Sequence, residues 1–195
     1  MEALQPVDVQ VEARKIAIVN GLILAAINIF IFLLVYYAAP NLMGNMAYSI
    51  IQLVVGIALA VYFTLNIRKK IGGYWSFKEA LSAIFVLFII NVVVVYFVTL
   101  AFGKFIEPGY PEKMKEIVLN GTTDMMEKIS QDQDAIDKTI EEVEKSLDSQ
   151  FNPGIIDVLK SLCISVIMYF IGALVFAAIF KRDKPIFFTT DETEA

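Results

Sequence analysis

No charged residue falls between Ile16 and Ala39, between Met46 and Ile67, between Ala80 and Gly103, or between Ser161 and Phe180. At 1.5 Å per residue, a helix of about 20 residues crosses the roughly 30 Å hydrocarbon core of a bilayer. Water is absent there, so the backbone must satisfy its own polar groups, which a helix does and an open strand does not. The runs therefore predict an all-α polytopic membrane protein with four transmembrane helices. The 57% apolar content agrees, being far above that of an ordinary soluble domain. A secretory signal peptide is the rival reading of the first run, but its apolar region would be only about 7–15 residues long.

Between the third and fourth runs lies the one long polar passage, 104–154, expected to be an extracytoplasmic helical insertion. From Lys104 to Lys160 there are 13 acids and 7 bases, whereas the whole chain carries a net charge of −5. The expected organisation is thus an N-terminal segment 1–15, three helices within 16–103, the insertion 104–154, a fourth helix 155–180, and a tail 181–195. Beyond Pro185 the polar, acidic tail predicts disorder.

Several helix ends are written in the sequence. Pro40 closes the first helix. Gly72 and Gly73 suit a helix C-terminus because glycine tolerates the left-handed conformation. Ser76 with Glu79 forms a capping box that starts the third helix. Asn152, Pro153 and Phe151 predict an N-cap, a first helical position and a staple onto Ile156 for the fourth. Asp157 would complement the helix dipole there and pair with Lys160.

Lysine and arginine in short loops set orientation. Arg14, Lys15, Arg68, Lys69, Lys70, Lys78, Lys181, Arg182 and Lys184 fall on one side, and the loop from Asn41 to Asn45 has none. Both termini are expected to be cytoplasmic. Tyr36, Tyr37, Tyr48 and Tyr96 would mark the outer interface, and Tyr62, Tyr74 and Trp75 the inner one.

Within the insertion, Pro111 opens a short helix expected to reach Leu119, with Asn120 and Gly121 breaking it. From Asp124 to about Asp148 a longer amphipathic helix carries Met126, Ile129, Ile136, Ile140, Val143 and Leu147 on one stripe. The stripe either folds against the short helix or offers a surface to a protein partner or a second copy. The short helix is too short to cover all of it, which singles out Ile136, Ile140, Val143 and Leu147 as the partner surface. Asp134 with Lys138 and Glu141 with Lys145 are acid-first pairs four apart.

Asn20, Asn28, Gln52 and Asn91 are the mid-span amides, expected to make interhelical hydrogen bonds or to line a pore in an oligomer. Gly21 with Ala25, Gly56 with Ala60 and Ala173 with Ala177 have the spacing that permits close helix packing. No ionisable group lies at mid-depth, which argues against ion-coupled transport by one chain. Histidine is absent and the one cysteine, Cys163, sits in an apolar run. No catalytic set, metal site or cofactor is expected, and the acidic balance excludes a nucleic-acid partner. Asp132, Asp134 and Asp137 lack the glycine of a calcium loop.

Gly72-Gly-Tyr-Trp-Ser-Phe-Lys-Glu-Ala80, Pro111-Glu-Lys-Met-Lys-Glu116, Asp124-Met-Met-Glu-Lys128, Phe151-Asn-Pro-Gly154 and Lys181-Arg-Asp-Lys-Pro185 together resemble a four-span membrane protein family of Bacteroidota. The resemblance runs from about Arg14 to Pro185. It implies a bacterial inner membrane. The family is catalogued as a domain of unknown function, so the resemblance assigns no site residues. The functional expectation is an accessory or scaffold membrane protein, not an enzyme, with an oligomeric channel or passive transporter as the alternative.

Overall fold

The computed structural model describes residues 6–129, 132–151 and 153–184, and these form an all-α fold. The helices are α1 (Pro6–Ala38), α2 (Met46–Lys70), α3 (Phe77–Ala101), α4 (Tyr110–Ile129), α5 (Gln133–Phe151) and α6 (Ile155–Phe180). A 3₁₀ turn, Pro40–Gly44, joins α1 to α2, and a π-helical turn, Phe102–Ile106, extends α3. Four helices are long and apolar enough to cross a membrane: α1, α2, α3 with its π turn, and α6. The polar passage is a helical hairpin, α4 and α5. The tail beyond Pro185 and the capping role expected of Asn152 lie outside the described residues.

α1 starts ten residues before the apolar run, which corrects the expectation of a separate N-terminal segment. Val9, Ala13 and Ala17 follow at four-residue spacing and are all buried, so this first part of the helix continues the packed face of the span. Arg14 Nε, in the same part of the helix, donates to Ser82 Oγ of α3 at 2.6 Å.

α3 is the central helix. One face packs on α1 and another on α6, leaving Ala80, Ala83, Ile84 and Leu87 with no exposed surface. Its start follows the capping box: the Ser76 N–H donates to Glu79 Oε2 at 2.7 Å and the Glu79 N–H to Ser76 Oγ at 3.4 Å. Gly72 and Gly73 have φ of +99° and +86°, the left-handed region that a side chain would resist.

At the same end of the bundle, Trp75 pairs with Arg182 in an antiparallel bridge. Trp75 Nε1 also donates to the Phe180 carbonyl at 2.8 Å, and Arg68 donates to the same oxygen at 3.2 Å. A carbonyl at the C-terminus of α6 is thereby satisfied at the membrane border.

The fourth span, Ile155–Phe180, is capped later than expected. Gly154 is the N-cap, and its N–H donates to Asp157 Oδ2 at 3.1 Å. Asp157 therefore acts on the cap, and no ion pair joins it to Lys160 among the described residues. Ile156 is 67% exposed, so Phe151 does not staple onto it. Phe151 instead ends α5 and turns to Tyr110.

The hairpin corrects the expected division of 104–154. α4 runs unbroken through Asn120 and Gly121 to Ile129. Gly121 is retained for close approach, because a Cβ there would collide with the Gly44 carbonyl oxygen. The break falls instead just before α5, where Asp132 Oδ1 accepts from the Asp134 N–H at 3.1 Å and the Asp132 carbonyl accepts from Ile136.

Candidate functional site

The features that distinguish this bundle from a plain set of spans lie at its hairpin end. Six aromatic rings gather there from the ends of α1, α3, α4 and α5: Phe32, Tyr36, Tyr37, Phe102, Tyr110 and Phe151. Tyr110 is edge-on to Tyr36, Phe102 and Phe151, each at 5.5 Å between centroids, and to Phe32 at 5.7 Å. Such contacts contribute roughly 0.5–1.5 kcal/mol apiece beyond area burial. Lys113 Nζ sits 4.5 Å from the centroid of the Tyr36 ring. Burial pushes the Tyr110 hydroxyl up to about 12, with neighbouring Tyr36 adding to it. The cluster fixes both ends of the hairpin onto the spans. Of the six, the sequence marks Tyr36 and Tyr37 as border aromatics and Phe151 as a helix staple, and it does not single out Phe32 or Phe102.

Within the hairpin, Lys115 Nζ reaches across from α4 to Glu144 at 2.8 Å and Asp148 at 3.0 Å on α5. The hydrogen bonds that Lys115 donates to Glu144 and Asp148 raise its ammonium above its usual range. Along α5, Glu141 pairs with Lys145 at 2.7 Å, and the Lys145 hydrogen bond lowers Glu141. Asp134 has no ion pair to Lys138; Gln133 donates to Asp137 instead.

The stripe expected to stay open is turned inward. Ile136 and Leu147 are buried, while Ile140 and Val143 are half-buried, because α4 is as long as α5 and covers it. Only Ile129, at the tip, stands out at 72% exposed. The outer face of α5 has an acidic excess: Asp134, Asp137, Glu141 and Glu142 are exposed, beside the exposed Lys138 and Lys145.

The mid-span amides divide into two groups. Asn28 Nδ2 donates to Asn91 Oδ1 at 2.9 Å, and Asn20 Nδ2 to Asn66 Oδ1 at 3.2 Å, so three of the four singled out are joined within the chain. Gln52 is exposed on α2 with no hydrogen-bond partner among the described residues. The small residues divide likewise. A Cβ at Gly21 would meet Ile90 at 2.9 Å, and Ala173 and Ala177 are fully buried, whereas Gly56 faces open space.

Two clefts open at this end. One, of about 880 Å³, lies between the Pro40–Gly44 turn, the start of α2 and α4, with Lys113, Glu116, Asp124 and Lys128 along it. The other, of about 680 Å³, lies between the ends of α3 and α5 and the starts of α4 and α6. Among the described residues, no group of three or more metal-ligating side chains of the His, Cys, Asp and Glu type is assembled.

This architecture defines an all-α chain of the polytopic membrane class, with four helices able to cross a bilayer and a polar hairpin between the third and fourth. Residues 19–182 match the family described as "Protein of unknown function (DUF4199)", and the chain belongs to that family. No curated protein and no solved structure matches the chain.

Proposed function

We propose that the protein is a non-catalytic accessory or scaffold membrane protein whose α4–α5 hairpin is a platform for a protein partner on the side opposite the termini. The observation that supports this most is the aromatic cluster around Tyr110. A hairpin serving only as a tether could be loosely attached, but this one is fixed at both ends. Because the apolar stripe faces α4, the contact surface is the outer, acidic face of α5, which suits a basic partner. The placement in a bacterial inner membrane rests on the family resemblance. The cytoplasmic assignment of the termini rests on the lysine and arginine asymmetry.

Two measurements test this. In a Cys163→Ser background, cysteines at Ser146 and Lys184 should label oppositely with an impermeant reagent; labelling of the Lys184 position alone refutes the orientation. A photo-cross-linker at Glu142 or Ser149 should then give a discrete adduct in cells, which the charge reversal Asp137→Lys with Glu141→Lys abolishes. Adducts indifferent to that reversal refute the platform.

The unpartnered Gln52 beside the open Gly56 favours a second reading, an oligomeric channel or passive transporter built through α2. Solute or ion flux in liposomes that Gln52→Leu abolishes would establish it in place of the first.

A further inference from the structure

The cleft between α3 and α6 has the make-up of a ligand site, and the case for it is independent of the partner platform. α6 packs most tightly on α3 through its second half, while Val158, Leu162 and Ser165 of its first half are only half-buried. Phe85 meets Phe170 and Phe88 meets Phe176, each at 5.4 Å between centroids, and Ala173 and Ala177 are fully buried. In the first half of α6, Ile155, Leu159 and Ile164 are 83%, 58% and 63% exposed. The space left on this side of α3 is the 680 Å³ cleft, within the roughly 300–1,000 Å³ typical of small-molecule sites.

Its lining changes character with depth. Val92, Val95 and Val158 supply an apolar lining, or floor, from α3 and α6, while Lys104, Glu112 and Gln150 line the hairpin end, or roof, with Lys104 Nζ 5.8 Å from the centroid of the neighbouring Phe105 ring. The span formed by α3 and its π turn ends at Ile106, so Lys104 lies at the level of lipid headgroups. The π turn itself is part of the wall. Here the turn brings Gly103 so close to the Tyr110 ring that a Cβ would stand 2.9 Å from it.

We propose that this cleft is a lipid site: it takes one acyl chain of a bilayer phospholipid along its valine floor and holds the headgroup between Lys104 and Glu112. One cation and one anion at the roof complement a phosphodiester that carries an ammonium group. They match a purely anionic headgroup less well, because Glu112 would then face a like charge. Lys104 takes the phosphate and Glu112 the ammonium.

The test uses the full chain in nanodiscs containing phosphatidylethanolamine or phosphatidylglycerol with a photoreactive diazirine on one acyl chain, and adducts mapped by mass spectrometry. With the ethanolamine lipid, adducts at Val92, Val95 and Val158 should exceed those at the lipid-facing Leu53 and Val54 by about tenfold, equivalent to about 1.4 kcal/mol of preferential occupancy. Val95→Trp should remove the excess by filling the floor. Glu112→Gln, at an exposed position outside the packed core, should erase the preference for ethanolamine over glycerol headgroups. Uniform labelling across the pocket and α2 overturns the site. Equal or stronger pocket labelling by phosphatidylglycerol in the unmodified protein overturns the headgroup assignment.

Discussion

The α4 backbone at Gly121 lies against Gly44 so closely that neither position has room for a Cβ: at Gly121 it would meet the Gly44 carbonyl oxygen, and at Gly44 that of Ile117. The hairpin is therefore seated backbone to backbone on the turn between α1 and α2. Gly121→Leu must push α4 away. Overpacking of this kind typically costs about 1–3 kcal/mol. The variant should lose that much stability in detergent unfolding, and trypsin should cut at Lys128 faster than in the unmodified protein. Unchanged proteolysis and unfolding would mean that the turn and α4 separate without cost.

Thr64 is fully buried, and its hydroxyl has no hydrogen-bond partner among the described residues. An unsatisfied buried donor costs roughly 1–3 kcal/mol, whereas a methyl group in its place carries no such penalty. Thr64→Val is accordingly expected to stabilise the protein by about 1 kcal/mol. A destabilised variant would show that the hydroxyl does find a partner.

The Asn28 and Asn91 amides give a coupling that a double-mutant cycle can read. Interhelical hydrogen bonds in membranes average about 0.6 kcal/mol, with a maximum near 1.7. Asn28→Leu and Asn91→Leu should each destabilise, and the pair should be less harmful than the sum by an amount in that range. Strict additivity would count against the bond.

The hairpin gives stability two pH limbs. Glu141 titrates lower in the fold than when unfolded, so its contribution is present above the ordinary carboxylate value of 4.5 and fades as pH falls through its depressed value. Tyr110 stays protonated in the fold up to about 12 against an ordinary 10.0, so the folded state holds the extra proton and stability declines as pH rises through that window. Lys115, raised above 10.5, acts in the same alkaline direction. Tyr110→Phe should flatten the alkaline limb in thermal unfolding followed at the single tryptophan, Trp75. An alkaline limb unchanged by that substitution would assign the effect elsewhere.

The spans were legible because lipid imposes a simple rule on length and charge that any stretch of chain either meets or fails. The capping box at Ser76 and the left-handed pair Gly72 and Gly73 were legible for a similar reason, since their partners lie within a few residues. Gly121 was misread because its role depends on Gly44, far away in the sequence. Folding of the stripe onto the preceding helix is one of the two alternatives the sequence leaves open, but that α4 reaches Ile136 and Leu147 is not legible, because it depends on α4 continuing through Gly121. Tyr36 is legible as a border aromatic and Phe151 as a staple, but their meeting with Phe102 and Tyr110 is not, because it depends on the fold bringing four helix ends together.

Tyr110 and Phe151, the first residue of α4 and the last of α5, touch edge to face at 5.5 Å. The chain thus leaves the bundle and returns to it at nearly the same point, which makes the hairpin a detachable cassette. Exchanging the residues between these two rings for a short polar turn, or for a foreign domain whose ends are close together, is expected to keep the order and direction of the four spans while losing the Gly121–Gly44 contact. The bundle can in that sense carry different headpieces on one chassis, with Tyr110 and Phe151 as the splice points.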